Sequence, residues 1–217
     1  MPKAGLKNVA YDYLHEGIMN YIYGPDDAIV EQDISNHLGI SRTPVREALK
    51  LLEAEGLVTH IRSRGTFVKE ITAQDIEEIM ELRILFEKTA LKSAIHMIKD
   101  EELNEIEQKM RELEQDTSFE EYYAADRDLH MCILNYSRNT RLITFHGMIA
   151  SQLERLRRIS SRTPDRLAKS RNEHLAIVQS IRERDFPRAE AKLVEHLTNI
   201  KNSTLNVYHS IRVNRVR

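Results

Sequence analysis

The sequence has no tryptophan and a single cysteine, Cys132. One cysteine permits no intramolecular disulfide, which fits a reducing cytoplasm, and its simplest role is that of a small buried apolar residue. No apolar run approaches the roughly 18 residues that a membrane-spanning helix needs, so no membrane partner is expected. The segment Met1-Pro2-Lys3-Ala4-Gly5 lacks the apolar stretch of a secretory signal, and a cytoplasmic location is expected. An excess of positive charge is missing too: 32 Lys and Arg face 34 Asp and Glu, for a net charge of −2. Taken whole, that balance argues against a nucleic-acid binder. Phosphate contact depends, however, on where the cations sit. They cluster at Arg42, Arg46 and Lys50 and again at Arg62, Arg64 and Lys69, with Asp26, Asp27, Glu31 and Asp33 outside those clusters.

What is present is a charged, aliphatic chain of 217 residues, long enough for two modest domains. The first 70 residues read as three helices and a β-hairpin. Leu6, Val9, Tyr13, Ile18 and Ile22 recur at roughly helical spacing, and Gly24-Pro25-Asp26 ends that segment. A short helix over Glu31–Leu38 buries Ile34 and Leu38. After the turn at Gly39-Ile40-Ser41, a third helix starts with Ser41 or Thr43 as N-cap and Pro44 in its first turn. Val45, Leu49 and Leu52 form its core stripe, which turns Arg46, Lys50 and Glu53 outward. Residues 57–61 and 66–69 read as two strands joined by Arg62-Ser63-Arg64-Gly65.

Beyond a linker at Glu70-Ile71 the periodicity is helical throughout, with Thr72 and Asp75 spaced as a capping box. Helices are expected over 73–98, 101–115, 118–136, 140–160, 164–184 and 187–208, which suggests an all-α antiparallel bundle. The expected architecture is therefore mainly α. Residues 1–70 form a winged helix-turn-helix, and residues 71–217 form a helical effector-binding and dimerisation domain.

A helix-turn-helix lays its second helix in the major groove, with that helix's N-terminal residues at the base edges. Arg42, Thr43 and Arg46 occupy that end; an Arg suits guanine, and a Thr hydroxyl suits phosphate. Taken singly, exposed arginines on a short helix more often do no more than solvate it. The combined string is more specific. His37 to Leu49 (HLGISRTPVREAL), Leu51 to Val58 (LLEAEGLV) and Arg64 to Val68 (RGTFV) resemble the GntR family of bacterial regulators over the whole N-terminal domain. The resemblance implies a homodimer on a short palindromic operator in double-stranded DNA, with Arg42, Thr43, Arg46, Arg64 and Gly65 as contact residues. Where many members carry a basic residue early in the second helix, this chain has Gln32.

In the second half, polar residues interrupt apolar faces. Asp126 and His130 are four apart and share a face with Ile133; His174 lies with Val178 and Ile181; His196 lies in the stripe of Ala189, Leu193 and Ile200. A lone histidine on such a face is most often a hydrogen-bonded core residue. Three imidazoles and a carboxylate directed into one bundle are apt ligands for a divalent transition metal, which would relieve their burial cost together. His15, His37, His60, His96, His146 and His209 show no such arrangement and keep the plain reading. Arg83, on the stripe of Ile76, Ile79, Met80, Phe86 and Ala90, needs an anionic partner. Two are open to it: Glu87 one turn away, or the carboxylate of a ligand.

Glu81-Leu82-Arg83 with Glu87, Asp126-Arg127-Asp128-Leu129-His130, Asn139 with Leu142, Arg171-Asn172-Glu173-His174 and Glu195-His196-Leu197 resemble the FCD effector domain of the FadR-type branch of that family. The resemblance implies a metal held by Asp126, His130, His174 and His196: zinc first, with nickel, manganese or iron as alternatives. It also implies a small organic acid as effector, with Arg83 and Asn139 as candidate contacts; Asn139 serves equally well as a helix N-cap. The expected function is a ligand-responsive regulator, read as a repressor, and not an enzyme. Two alternatives are a metalloenzyme fused to a DNA-binding module and a regulator with a purely structural metal.

Overall fold

The computed structural model of the chain describes residues 3–114 and 117–215. The fold divides into two units, Met1–Thr72 with Ile149–Arg155, and Ala73–Met148 with Leu156–Arg217. The first contains α1 (Lys3–Met19), β1 (Ala28–Ile29), α2 (Glu31–Leu38), α3 (Arg42–Ala54), β2 (Val58–Ile61) and β3 (Gly65–Val68). Gly39, at φ 65°, closes α2 in the left-handed conformation that a tight turn into α3 needs. Ser41 is the N-cap of α3, in extended conformation and without a side-chain cap bond, so Thr43 lies inside the helix. Val45, Ala48, Leu49 and Leu52 are buried against Ala10, Leu14 and Ile18 of α1, while Arg42, Thr43, Arg46 and Lys50 stay exposed.

The α1 stripe differs from the expected one. Ala10, Leu14 and Ile18 at four-residue spacing are buried, and Val9 and Ile22 are exposed. The helix ends at Met19, so Ile22 lies past it and no longer follows its period. The expected hairpin pairs antiparallel from Val58↔Val68 to Ile61↔Gly65. A third strand joins it: β1 pairs Ala28↔Phe67 and Ile29↔Thr66, giving the order β1-β3-β2. Two residues are too few to display alternation, which is why the pattern shows no strand there.

The second unit is helical: α4 (Ala73–Ala94), α5 (Asp100–Glu112), α6 (Phe119–Tyr136), α7 (Thr140–Met148), α8 (Ala150–Ser160), α9 (Arg166–Arg182) and α10 (Phe186–Arg215). The first residues of α8, through Arg155, group with the other unit. The helix expected over 140–160 is two, broken after Met148, one residue beyond Gly147, whose conformational freedom weakens a helix locally. The helix expected over 101–115 ends at Glu112, and residue 115 lies outside the described residues. α6 opens with a capping box in which Ser118 and Glu121 satisfy each other's backbone N–H groups. α4 packs against α10, α6 and α7, and α9 against α10 and α5. Met80 and Leu91, Leu129 and Ile133, Ile177 and Val178, and Leu193 and Leu197 form the apolar interior. Into that interior four helices direct polar side chains.

Candidate functional site

α4 contributes Arg83 and Glu87 to the interior, α6 Asp126 and His130, α9 His174, and α10 His196, all buried. The four-residue spacing in α4 and in α6 places each pair on one helix face. Asp126, His130, His174 and His196 converge, with one potential ligand atom from each within 4.8 Å of the others. His174 Nε2 lies 3.0 Å from His196 Nε2 and 3.2 Å from Asp126 Oδ1; His130 Nε2 lies 3.6 Å from the same oxygen.

The outer nitrogens decide what the inner ones can do. His130 Nδ1 is 2.5 Å from Glu87 Oε2, and His196 Nδ1 is 2.7 Å from Glu173 Oε2. A carboxylate only accepts, so both Nδ1 atoms donate, and in the neutral imidazole that a metal ligand must be, each Nε2 then presents a lone pair. Glu173 is held in turn by Arg166 and by Asn199 Nδ2 at 2.9 Å. His130 Nε2, His196 Nε2 and Asp126 Oδ1 thus lie close together with His174 Nε2 beside the last two, and His130 Nε2 has no hydrogen-bond partner. A cation satisfies such a set, and its imidazoles and carboxylate suit a divalent transition metal.

The surrounding charges favour the same state. Burial opposes ionisation of Asp126, but the adjacent Arg157 and His130 outweigh it and hold its pKa well below the usual carboxylate value. Arg157 Nε lies 2.9 Å from Asp126 Oδ2. Burial also opposes ionisation of Glu87, yet His130 and Arg83 lower its pKa. Burial lowers the pKa of His174 and His196, keeping both imidazoles neutral as metal ligands must be. Beside Asp126 a cavity opens, lined in part by Tyr122, Arg157, Ser160, Arg166 and Ser170.

Arg83 answers its open question in two parts. Its Nε donates to Glu87 Oε1 at 2.7 Å, while Nη1 and Nη2 are buried without a partner. Asn139 is exposed, and its Oδ1 accepts from the Leu142 amide at 3.2 Å, so it caps α7. Three participants escaped the sequence reading. Glu173 is engaged by His196 and Arg166. Arg157 sits among exposed-looking charges in sequence. His146 is buried, 4.0 Å from Glu87 Oε1; the available signal was its spacing from Leu142 and Ile143 on one face of α7.

In the first unit Arg42, Thr43 and Arg46 line the exposed face at the start of α3. Glu31 does not stand apart from this cluster: its Oε2 accepts from Arg42 Nη2 at 3.1 Å and from Arg46 Nε at 2.6 Å. The turn between α2 and α3 brings residue 31 across from both, a proximity that linear spacing conceals. In the wing, Gly65 has φ 105°, a conformation that L residues rarely adopt, and an added Cβ would meet nothing within 4 Å. Its glycine is thus required by the backbone of the turn itself. Arg64 lies over the Phe67 ring, 5.5 Å from its centroid.

Residues 78–199 match the model of the FCD domain, and residues 6–68 that of the bacterial regulatory proteins of the gntR family. The HTH-type transcriptional regulator YdhC of Bacillus subtilis is 27% identical over 194 residues, covering 87% of this chain and 86% of that protein. The Nta operon transcriptional regulator of Aminobacter aminovorans is 28% identical, covering 82% and 85%. Among solved structures, a GntR transcriptional regulator from Rhodococcus sp. RHA1 shares the fold with a TM-score of 0.76 at 20% identity, covering 94% of this chain and 98% of that one. The Zn2+-bound FCD domain of the regulator TM0439 aligns with a TM-score of 0.58 at 25% identity, covering 65% and 99%.

Proposed function

The chain belongs to the GntR family of bacterial regulatory proteins and carries an FCD domain, and from that premise we propose that it is a metal-dependent transcription regulator controlled by a small organic acid. It acts in the cytoplasm as a homodimer on a palindromic operator and serves as a repressor that the acid releases. The buried convergence of Asp126, His130, His174 and His196, with His130 Nε2 left without a hydrogen-bond partner, carries this reading. Asp126, His130, His174 and His196 would hold a divalent transition metal. Zinc is the first candidate because a similar FCD domain holds Zn2+; nickel, manganese and iron accept the same donors. Bound there, the metal supplies a Lewis-acidic position that attracts an anion.

The chain's own residues would complete the receptor. Arg83 offers two free N–H edges to a carboxylate, Arg157 adds positive charge beside Asp126, and the adjoining cavity gives a route in. Asn139 is engaged as a cap, so the effector assignment rests on Arg83. On the DNA side, the start of α3 enters the major groove with Arg42, Thr43 and Arg46, while Arg64 and Gly65 run along the backbone. The exposed apolar residues Leu82 and Leu85 of α4 and Phe145 and Met148 of α7, on two helices that pack together, support a dimer contact. The relatives are named as regulators of transcription, and the occupied state of Glu173 favours sensing over hydrolysis.

The test is a DNA-binding titration, by fluorescence anisotropy, of a duplex that the protein selects from a random pool. Small carboxylic acids are added with and without a chelator. The proposal expects one acid to lower affinity by roughly 5–150-fold, the range of ordinary allosteric coupling, and the chelator to abolish that effect. DNA affinity indifferent to every acid and to chelation would overturn it.

A further inference from the structure

Behind the metal ligands lies a second set of polar groups that the four-ligand site does not use. Arg83 is fully buried, yet Nη1 and Nη2 have no partner; His146 is buried, and its Nε2 has none either. The two are neighbours, because both approach one oxygen: Glu87 Oε1 accepts from Arg83 Nε at 2.7 Å and lies 4.0 Å from His146 Nε2. Glu87 leaves all three unsatisfied: His146 Nε2 lies beyond hydrogen-bond distance of it, and neither Arg83 Nη1 nor Nη2 bonds to it. Three buried N–H or N positions are therefore left with an unpaid desolvation cost. Such a cost is ordinarily met by a water or a ligand, and here the atoms are those that recognise an acid: a guanidinium fork and an imidazole.

Charge balance points the same way. Among the described residues of this unit, the buried cations Arg83, Arg157 and Arg166 are matched by the carboxylates Glu87, Asp126 and Glu173. His146, with its pKa lowered to about 4 by burial, adds no charge near neutral pH. The protein part of the chamber is thus neutral, and a divalent ion on the four ligands leaves two positive charges unmatched. A monoanion would balance only one. The cover over this corner is thin, for α7 has nine residues and His146 is its one buried side chain. Admitting a ligand there disturbs little apolar packing.

We propose that Arg83 and His146 form an anion subsite beside the metal position, so that the effector is a small dianion, one acidic group reaching the metal and the second held by Arg83 Nη1 and Nη2 and His146 Nε2. This rests on the acid-sensing reading above and narrows it from organic acids to dicarboxylates.

The experiment is calorimetric titration of the Zn2+-loaded full-length protein with acetate, malonate, succinate and glutarate. At least one dicarboxylate is expected to bind roughly tenfold or more tighter than acetate, the scale of one added charge-assisted contact. Arg83→Gln should erase that preference, bringing the dicarboxylates to within about threefold of acetate measured on the same variant. Arg83→Gln strands Glu87 in the interior and can impair folding, so His146→Gln, on the thinly packed α7, is the second arm; its zinc content and melting temperature establish that it is folded and loaded. Dicarboxylates no tighter than acetate would overturn the subsite and leave acid sensing standing. A folded, loaded His146→Gln protein that keeps the full preference would also overturn it. Failure of the loaded protein to bind any of the four acids would overturn the subsite and the acid-sensing reading with it.

Discussion

At the scale of single residues, the site is defined by what stands behind its ligands. An imidazole is a good ligand only in the tautomer that leaves a lone pair toward the metal, and a carboxylate on the far nitrogen fixes that tautomer and the ring's orientation. Glu87 does this for His130 and Glu173 does it for His196, whereas His174 Nδ1 has no partner. Glu173→Gln should therefore weaken metal binding by about 10–100-fold in competition with a chromogenic chelator, with helix content by circular dichroism unchanged. Unaltered metal affinity in that variant would mean that Glu173 serves only to pair with Arg166. The four inner residues could be named from sequence because each is a polar interruption in an apolar helical stripe. Their supports could not. Glu173 and Arg157 lie among other charged residues, and only their contacts in the fold, Glu173 with His196 and Arg166 and Arg157 with Asp126, set them apart.

At the scale of elements, helices with one clear apolar face were legible to within a few residues. α2 runs over Glu31–Leu38 as expected, and α3 carries its expected stripe through Val45, Leu49 and Leu52. Legibility failed where length or competition removed the period: β1 is two residues long, α1 has apolar residues on more than one face, and the break between α7 and α8 rests on local weakness near Gly147. The recognition helix shows why spacing also underestimates charge. Glu31 pairs with Arg42 and Arg46 from another helix, and all three side chains remain solvent-accessible. The pairs contribute little to stability there; their effect is on how freely the arginines meet DNA. Arg46→Ala should cost roughly 1–3 kcal/mol of specific binding, the scale of one base contact. Glu31→Ala should instead raise affinity for non-specific duplex DNA, by freeing two cations and removing a negative charge near phosphate. Equal salt-dependent affinities for wild type and Glu31→Ala would contradict that role.

At the scale of the whole molecule, one chain carries a DNA-reading unit and a sensing unit, each with its own core. The family match accounts for that combination, and coupling between the two functions requires that an effector bind one state of the protein better than another. Everything in the sensing account depends on the four converging ligands being occupied by a cation. The most direct measurement is elemental analysis by mass spectrometry of the protein purified without chelators, alongside His174→Ala. The account predicts close to one divalent transition-metal ion per chain in the wild type, removable by chelator and restored by added Zn2+, and a marked loss in the variant. A wild-type protein that carries no metal and takes up none of Zn2+, Ni2+, Mn2+ or Fe2+ would contradict it.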